Sequence, residues 1–530
     1  MSKSKITLLM AGLMASLLLA ALDSTVISTA MKSIAVSLGG MQYYSWPFTV
    51  YMLCSTIAIP VCGGLADIYG HKPVFLTGIA AFLAGSCLCG LSQNMGQLIA
   101  FRGLQGAGGG MIVSGVFTVV ADLFEPADRG KYTGIVTSMY GLASIIGPLA
   151  GGFVTDTLGW RWVFFLNLPL GAAAILIFAL SMPSFQSGEA KRRPDYAGIL
   201  TLVLTLLPML LDFSLAGNLF DWFSAPCILL FAASAVMLAV FIIVERKAEN
   251  PMLPPTFFKD RAISISFAIA FFSQALMFSA IMYLPYFVQG VIGSTASTSG
   301  LVITPMMLGL LLASNLTGQF VSRVGKARPL SILAFLIMGT GEFLLSTMGV
   351  GTSYSQAILF MVILGFGVGV SMPITNVNAQ NAAPRQQIGS VTSSVMFFRN
   401  MGSTIGSALY GVIMSGTLSA GLAKLQMQHL PGRVQAMLKN TQVITNAKAV
   451  AAIRAKVPGA YAGYFDGVYR QVREALASSI HSVFLFCICI AALGLLCAFF
   501  LREAPVVRRK APRQQEAEAP CGQKAENTSE

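Results

Sequence analysis

The sequence predicts an all-α membrane protein that crosses the bilayer many times. Three observations predict it. Only 10% of the 530 residues are charged, against about 25% in an ordinary soluble domain. Mean hydropathy is +0.72. The apolar residues gather into fourteen runs, each close to the roughly 20 residues that carry a helix across a bilayer. The net charge of +13 does not point to nucleic acid, because the basic residues sit in short loops between apolar runs and form no single patch.

The spans fall at 6–30, 44–66, 73–92, 97–121, 133–158, 161–182, 196–216, 224–244, 262–288, 297–321, 328–350, 356–378, 389–415 and 478–501. The first follows Lys3 and Lys5, as a signal peptide would. It is too long for that and contains Asp23, so it reads as a retained span. An even count puts both termini on one side. Loops on that side hold Lys72, Arg129, Lys131, Lys191, Arg192, Arg193, Arg246, Lys247, Lys259, Arg261, Arg323, Lys326, Arg328 and Arg385. The short loops opposite hold only Lys32 and Arg161, so both termini are expected in the cytoplasm. The long outer segment, about 416–477, carries eight basic residues, but long loops are largely exempt from this rule. Its pieces AKLQMQHLPGRVQAMLKN and DGVYRQVREALA read as amphipathic helices outside the bilayer. The polar tail from Arg502 reads as disordered.

An internal repeat divides the chain. GGLADIYGHK follows span 2 and GQFVSRVGKAR follows span 10, matching Gly63, Asp67, Gly70 and Lys72 to Gly318, Ser322, Gly325 and Lys326. EPADRGKYTG after span 4 pairs more loosely with APRQQIGS after span 12. The expected organisation is a six-helix bundle over 1–182, a linker with two inserted spans over 183–261, a second six-helix bundle over 262–501, and a cytoplasmic tail over 502–530. Parallel six-helix repeats mark one class of secondary transporter.

Several ordered motifs sharpen this. They are LDSTVISTA in span 1, GGLADIYGHK after span 2, LIAFRGLQGAGGG in span 4, GLASIIGPLAGG in span 5 and WRWVFFLNLPLG opening span 6. YLPYFVQGVIGSTASTSGLVITP and FFRNMGSTIGSALYG follow in the second half. Together they resemble the fourteen-span drug:proton antiporters of the major facilitator superfamily, over about residues 22–415. The resemblance implies the major facilitator fold, two six-helix bundles plus two inserted helices.

Individual residues carry the chemistry. Asp23 is an acid inside an apolar span, and such residues are functional candidates by default. It is expected in proton or cationic-substrate coupling. Arg102 needs a partner; the resemblance places it, with Gln105, at the central cavity, and Asp23 is one possible carboxylate. The alternative is snorkelling toward the cytoplasm. Glu342 in span 11 is a further candidate for protonation or cation binding, and Asp212 in span 7 reads as structural. Arg399 matches a family arginine of structural or gating use.

Gly63, Asp67, Gly70 and Lys72, with Arg129, form the expected cytoplasmic gate, although Ile68 and His71 stand where the family has basic residues. Gly141, Gly147, Pro148, Gly151 and Gly152, with Gly134, give span 5 a smooth face along which backbones can approach, and Pro148 can kink it. The resemblance implies that this motif seals the two halves against leak. Ala143 replaces a glycine of the longer family pattern.

The expectation is a proton-coupled exporter of amphipathic, possibly cationic, compounds, working by alternating access in a bacterial inner or plasma membrane. The alternative is export of one specific metabolite, antibiotic or lipid on the same fold. Protons, a small-molecule substrate and the bilayer are the expected partners, and a monomer is expected. Nucleic acid, metal and organic cofactors are not. Neither HExxH, GxSxG nor GxxxxGK[ST] occurs. Three histidines and the absence of any CxxC pair among nine cysteines leave little basis for metal or redox chemistry.

Overall fold

A computed structural model describes residues 3–38, 46–182, 195–215, 224–249, 253–292, 296–324, 326–425 and 462–504, with isolated residues at 43, 251, 434–435, 450, 453–455 and 457. Among them every regular element is helical. The first half contains α1 (Lys3–Ser37), α2 (Trp46–Tyr69), α3 (His71–Leu91), α4 (Met95–Leu123), α5 (Pro126–Thr157), α6 (Arg161–Phe165) and α7 (Asn167–Ser181). Then come α8 (Tyr196–Leu215) and α9 (Ala225–Lys247). The second half contains α10 (Arg261–Tyr286), α11 (Ala296–Val324), α12 (Ala327–Ser346), α13 (Tyr354–Ala382), α14 (Ile388–Ala423) and α15 (Ala462–Phe499).

A helix thus occupies each of the fourteen expected positions, with α6 and α7 sharing one. Eleven helices are long and apolar enough to cross a membrane, or twelve with α5 as one bent span. In α8 the apolar stretch is shorter, and α11 runs for 29 residues. The pattern is compatible with fourteen spans. The bend in α5 is 43°, between Asp128–Ser144 and Leu149–Thr157, and Pro148 lies in the break.

Local chemistry sets several boundaries. Gly70 ends α2 at φ 87°, a left-handed conformation that favours glycine. The Asn94 side chain caps α4 by accepting from Gln97 N–H at 2.9 Å. Asp260 caps α10 through Ala262 and Ile263 N–H groups at 2.7 and 3.2 Å.

The helices sort by contact. α1 packs on α5 and α7, while α2 and α3 flank α4. In the second half α13 packs on α11 and α12, and α10 on α14. α8 and α9 form a pair touching α2 and α14 through α8. Between the halves the main crossings are α5 with α11 and α2 with α14. These are equivalent pairs under the internal repeat.

Both ends of the described chain lie on one side. Near the start of α1, Gly12 abuts Ile177 and Phe178 at the end of α7. Lys72, opening α3, donates to Ala179 O and Met182 O at the same end of α7. The end of α2 meets the start of α14. At the other terminus, Ala504 N–H donates to Asn378 Oδ1, near the end of α13, at 3.0 Å. Residues 502–504 are thus ordered against α13, and the rest of the expected tail lies outside the described residues.

The last helix differs from expectation. DGVYRQVREALA is not a separate surface helix but the opening turns of α15, continuous with the final span. Phe465, Val468, Val472 and Leu476 are its buried face, packed into the second-half core. The apolar stripe is as the sequence implies; the continuity is not readable from composition, because polar residues cover the outward face. Most of AKLQMQHLPGRVQAMLKN lies outside the described residues.

Candidate functional site

Four helices converge on Asp23. Its carboxylate accepts from Arg102 Nη1 at 2.6 Å, from Gln105 Nε2 at 2.7 Å and from Asn167 Nδ2 at 3.1 Å. Arg102 and Gln105 are one turn apart on α4, so they share a face, and Arg102 Nη1 also donates to Gln105 Oε1 at 2.8 Å. The guanidinium lies 4.1 Å from the centre of the Tyr51 ring on α2, a cation–π distance. Asn167 is held in turn by Ser86, its Nδ2 donating to Ser86 Oγ at 3.0 Å, and Ser86 Oγ donating to Phe164 O at 2.8 Å.

Asp23 and Arg102 are 2% and 1% exposed. Arg102 therefore does not snorkel; it lies seven residues inside the α4 end remote from the termini. Its carboxylate partner, open at the level of sequence, is Asp23. The glycines of LQGAGGG make the convergence possible. A Cβ on Gly106 would sit 2.8 Å from Tyr51 Cα, and one on Gly110 would run into Ser55 backbone. α2 can approach α4 only because those side chains are missing.

A second constellation closes the two halves on the side of the termini. Asp67, at the end of α2, accepts from Gly389 N–H at 2.9 Å and Ser390 N–H at 2.8 Å, and from Ser390 Oγ at 2.6 Å. These donors open α14, where unpaired amides and the helix dipole favour an anion. Gly63 and Gly389 pack backbone to backbone beside them; a Cβ on Gly63 would lie 2.8 Å from Gly389 O. At the symmetry-equivalent crossing, Gly318 of α11 meets Gly130 and Gly134 of α5.

The basic residues of the expected gate behave differently from one another. Lys72 turns into its own half and caps α7 at 2.9 and 2.8 Å, so it does not hold Asp67. Arg129 reaches across, donating to Asn381 Oδ1 at 3.4 Å. His71 bonds to Asp122 of α4 and lies 3.6 Å from Asp67. The acid is thus latched by two backbone amides and the Ser390 hydroxyl.

The span 5 motif divides its contacts. Gly134 and Gly141 face α11, where added Cβ atoms would sit 2.6 Å from Ser314 O and 3.0 Å from Met307 O. Gly147 packs on Thr25 of α1, within its own half. Ala143 is buried at 1% exposure and accommodated. Gly151 is buried, and Gly152 has nothing within 4 Å of an added Cβ. Only the part nearer the termini lies between the halves.

Glu342 is fully buried in the second half, its Oε1 accepting from Ser279 Oγ at 2.8 Å, with no partner for Oε2 among the described residues. Asp212 accepts from the Cys227 thiol at 3.3 Å between the inserted helices. Neither joins the Asp23 cluster. Sequence reasoning missed Asn167 and Tyr51 as members of that cluster. The signal for Asn167 was a lone amide in the apolar run FFLNLPLG.

The profile of the Major Facilitator Superfamily matches residues 13–407. Multidrug transporter protein MdtP of Bacillus subtilis is 37% identical over 532 residues, covering 97% of this chain and 96% of that protein. Multidrug resistance protein 3 of the same organism is 34% identical, covering 93% and 95%. The chain belongs to the major facilitator superfamily. It is a multi-pass membrane transporter and not an enzyme. Among solved structures, the proton:xylose symporter XylE superposes with a TM-score of 0.61 at 14% identity, covering 96% of this chain and 98% of that one. That likeness concerns the fold, and the two halves of this transporter are the two bundles of the superfamily.

Proposed function

We propose that this transporter exports amphipathic drugs or toxic compounds from the cytoplasm in exchange for protons, by alternating access. The carrying observation is a buried carboxylate, Asp23, whose charge is balanced inside the first bundle by Arg102. Two multidrug relatives covering nearly the whole chain support the choice of cargo.

The lysine and arginine bias places the termini in the cytoplasm. On this reading the Asp67 latch is the contact that closes the cytoplasmic side and must open for the inward-facing state. A proton arriving from outside neutralises Asp23 and removes its attraction for Arg102. Gln105 and Asn167 keep the carboxyl positioned, because both donate to Oδ1, while Arg102 bonds to Oδ2. The freed guanidinium keeps Gln105 Oε1 and the Tyr51 ring. That rearrangement shifts α1 against α4 and biases the halves toward the inward-facing state. Cytoplasmic release of the proton restores the pair. Glu342 supplies a second protonatable group in the other half.

The energetics suffice. One charge moving through 100 mV yields about 2.3 kcal/mol, and each 1.4 kcal/mol is tenfold in concentration, so one proton exchanged for an uncharged substrate sustains roughly a fiftyfold gradient, while exchange for a monovalent cation draws on the pH gradient alone. Ethidium efflux from cells expressing the protein tests this reading. Efflux that a protonophore abolishes is expected; efflux insensitive to it contradicts proton exchange.

A further inference from the structure

The second half contains a buried charge with no counterpart among the described residues. Arg399 on α14 is 5% exposed, and no carboxylate lies within ion-pair distance of it among the described residues. Its contacts are weak for a guanidinium with five donors. Nη2 donates to Thr375 Oγ1 at 3.1 Å and to Met372 O at 3.5 Å, Nη1 faces the Met396 thioether at 3.3 Å, and Nε has no acceptor among the described residues. The contrast is with Arg102, equally buried, which has a carboxylate at 2.6 Å. A buried cation in a membrane protein normally has an anion or water beside it, because the apolar surroundings penalise bare charge.

The position of Arg399 says where that anion comes from. Met396, Phe397 and Met401, its neighbours on α14, belong to the apolar cluster that also holds Met139 of α5 and Tyr51 of α2. Tyr140 of α5 packs against the same cluster. Arg399 therefore sits where the two halves face each other. It is nine residues along α14 from Ser390, roughly 14 Å beyond the latch that closes the cytoplasmic side. That is the depth at which transporters of this architecture hold their cargo.

We propose that Arg399 binds the anionic head group of an amphipathic substrate, a carboxylate or sulfonate, whose apolar body rests on the Phe397, Met401 and Tyr140 surface. The planar fork of a guanidinium suits a two-oxygen anion, and its unsatisfied donors are already oriented by Thr375 and Met372. The cargo range then extends beyond cations to anions and zwitterions. This rests on the export reading for its physiological meaning, but the binding site is measurable without transport.

The test compares wild type, Arg399→Gln and Arg399→Lys. Fluorescein binding to detergent-purified protein is followed by anisotropy. Fluorescein and ethidium transport are followed in vesicles of phosphatidylcholine alone, so that no anionic lipid competes. The expected result is that Arg399→Gln weakens fluorescein binding and transport at least tenfold, changes ethidium transport less than twofold, and that Arg399→Lys restores much of the fluorescein response. Equal loss of both probes in Arg399→Gln, fluorescein binding unaffected by it, or no fluorescein binding by wild type overturns the proposal. Arginine-dependent fluorescein binding without export of either probe supports the site and sinks the export reading instead.

Discussion

Asp67 in the first half accepts two hydrogen bonds from Ser390 in the second, at 2.8 Å from the backbone amide and 2.6 Å from the hydroxyl. The carboxylate stands at the start of α14, so its charge also meets the positive end of that helix. Hydrogen bonds to a charged group contribute about 1.5–3 kcal/mol each, which makes this latch a large part of whatever holds the halves together on the side of the termini. Asp67→Asn keeps the shape and removes the charge. The expected outcome is at least a tenfold rise in labelling of a cysteine placed between the halves just beyond the latch, with slower efflux. Unchanged labelling would show that the glycine crossings close this side unaided.

Those crossings make a second prediction, and it separates glycines that a motif treats alike. Gly318→Val drives a side chain into Gly130, and Gly63→Val does the same against Gly389 and Ser393. Both are expected to reduce efflux more than tenfold while the protein still reaches the membrane. Gly152→Val meets open space and is expected to keep efflux within about twofold of wild type, despite lying in the same sequence motif as Gly141. Efflux assays at matched protein level decide it.

The Asp23–Arg102 pair predicts a stability order. Arg102→Ala leaves a buried carboxylate without its cation, a change that costs about 3–5 kcal/mol in buried pairs. Replacing both partners together, Asp23→Asn with Arg102→Gln, removes the uncompensated charge. The double variant is therefore expected to unfold at a higher temperature than Arg102→Ala alone, in detergent. A double variant less stable than the single one contradicts a direct ion pair.

Glu342 gives a prediction in the second half. If it carries a proton through the cycle, Glu342→Gln retains export but lowers the gradient that a fixed membrane potential can sustain, by roughly fiftyfold per 100 mV for one charge. Steady-state accumulation in vesicles at several imposed potentials measures this as a shallower voltage dependence. An unchanged dependence assigns Glu342 to structure, through its hydrogen bond from Ser279.

The sequence exposed the charged members of the site because charge is rare in an apolar run. Asp23 and Arg102 stood out for that reason, Gln105 through the motif it shares with Arg102, and the structure brings the three together. What holds them was less visible. Asn167 is a single amide in a run that otherwise packs against lipid and neighbours. The Tyr51 ring looks like any membrane aromatic. The partners of Asp67 could not be read at all, because they are chiefly backbone amides, and an amide leaves no mark in a sequence. The gate was expected to use basic residues, yet Lys72 caps α7 instead, since a lysine one turn past a helix end reaches whichever carbonyls are closest. The early start of α15 was hidden by its polar outward face.

The central claim is that Asp23 carries the proton that drives export. The most direct test is ethidium accumulation in vesicles containing purified protein, with an imposed pH gradient, for wild type and Asp23→Asn, alongside ethidium binding in detergent. The account predicts that wild type concentrates ethidium against its gradient, and that Asp23→Asn binds ethidium but only equilibrates it. Uphill accumulation by Asp23→Asn that still follows the pH gradient would contradict the claim.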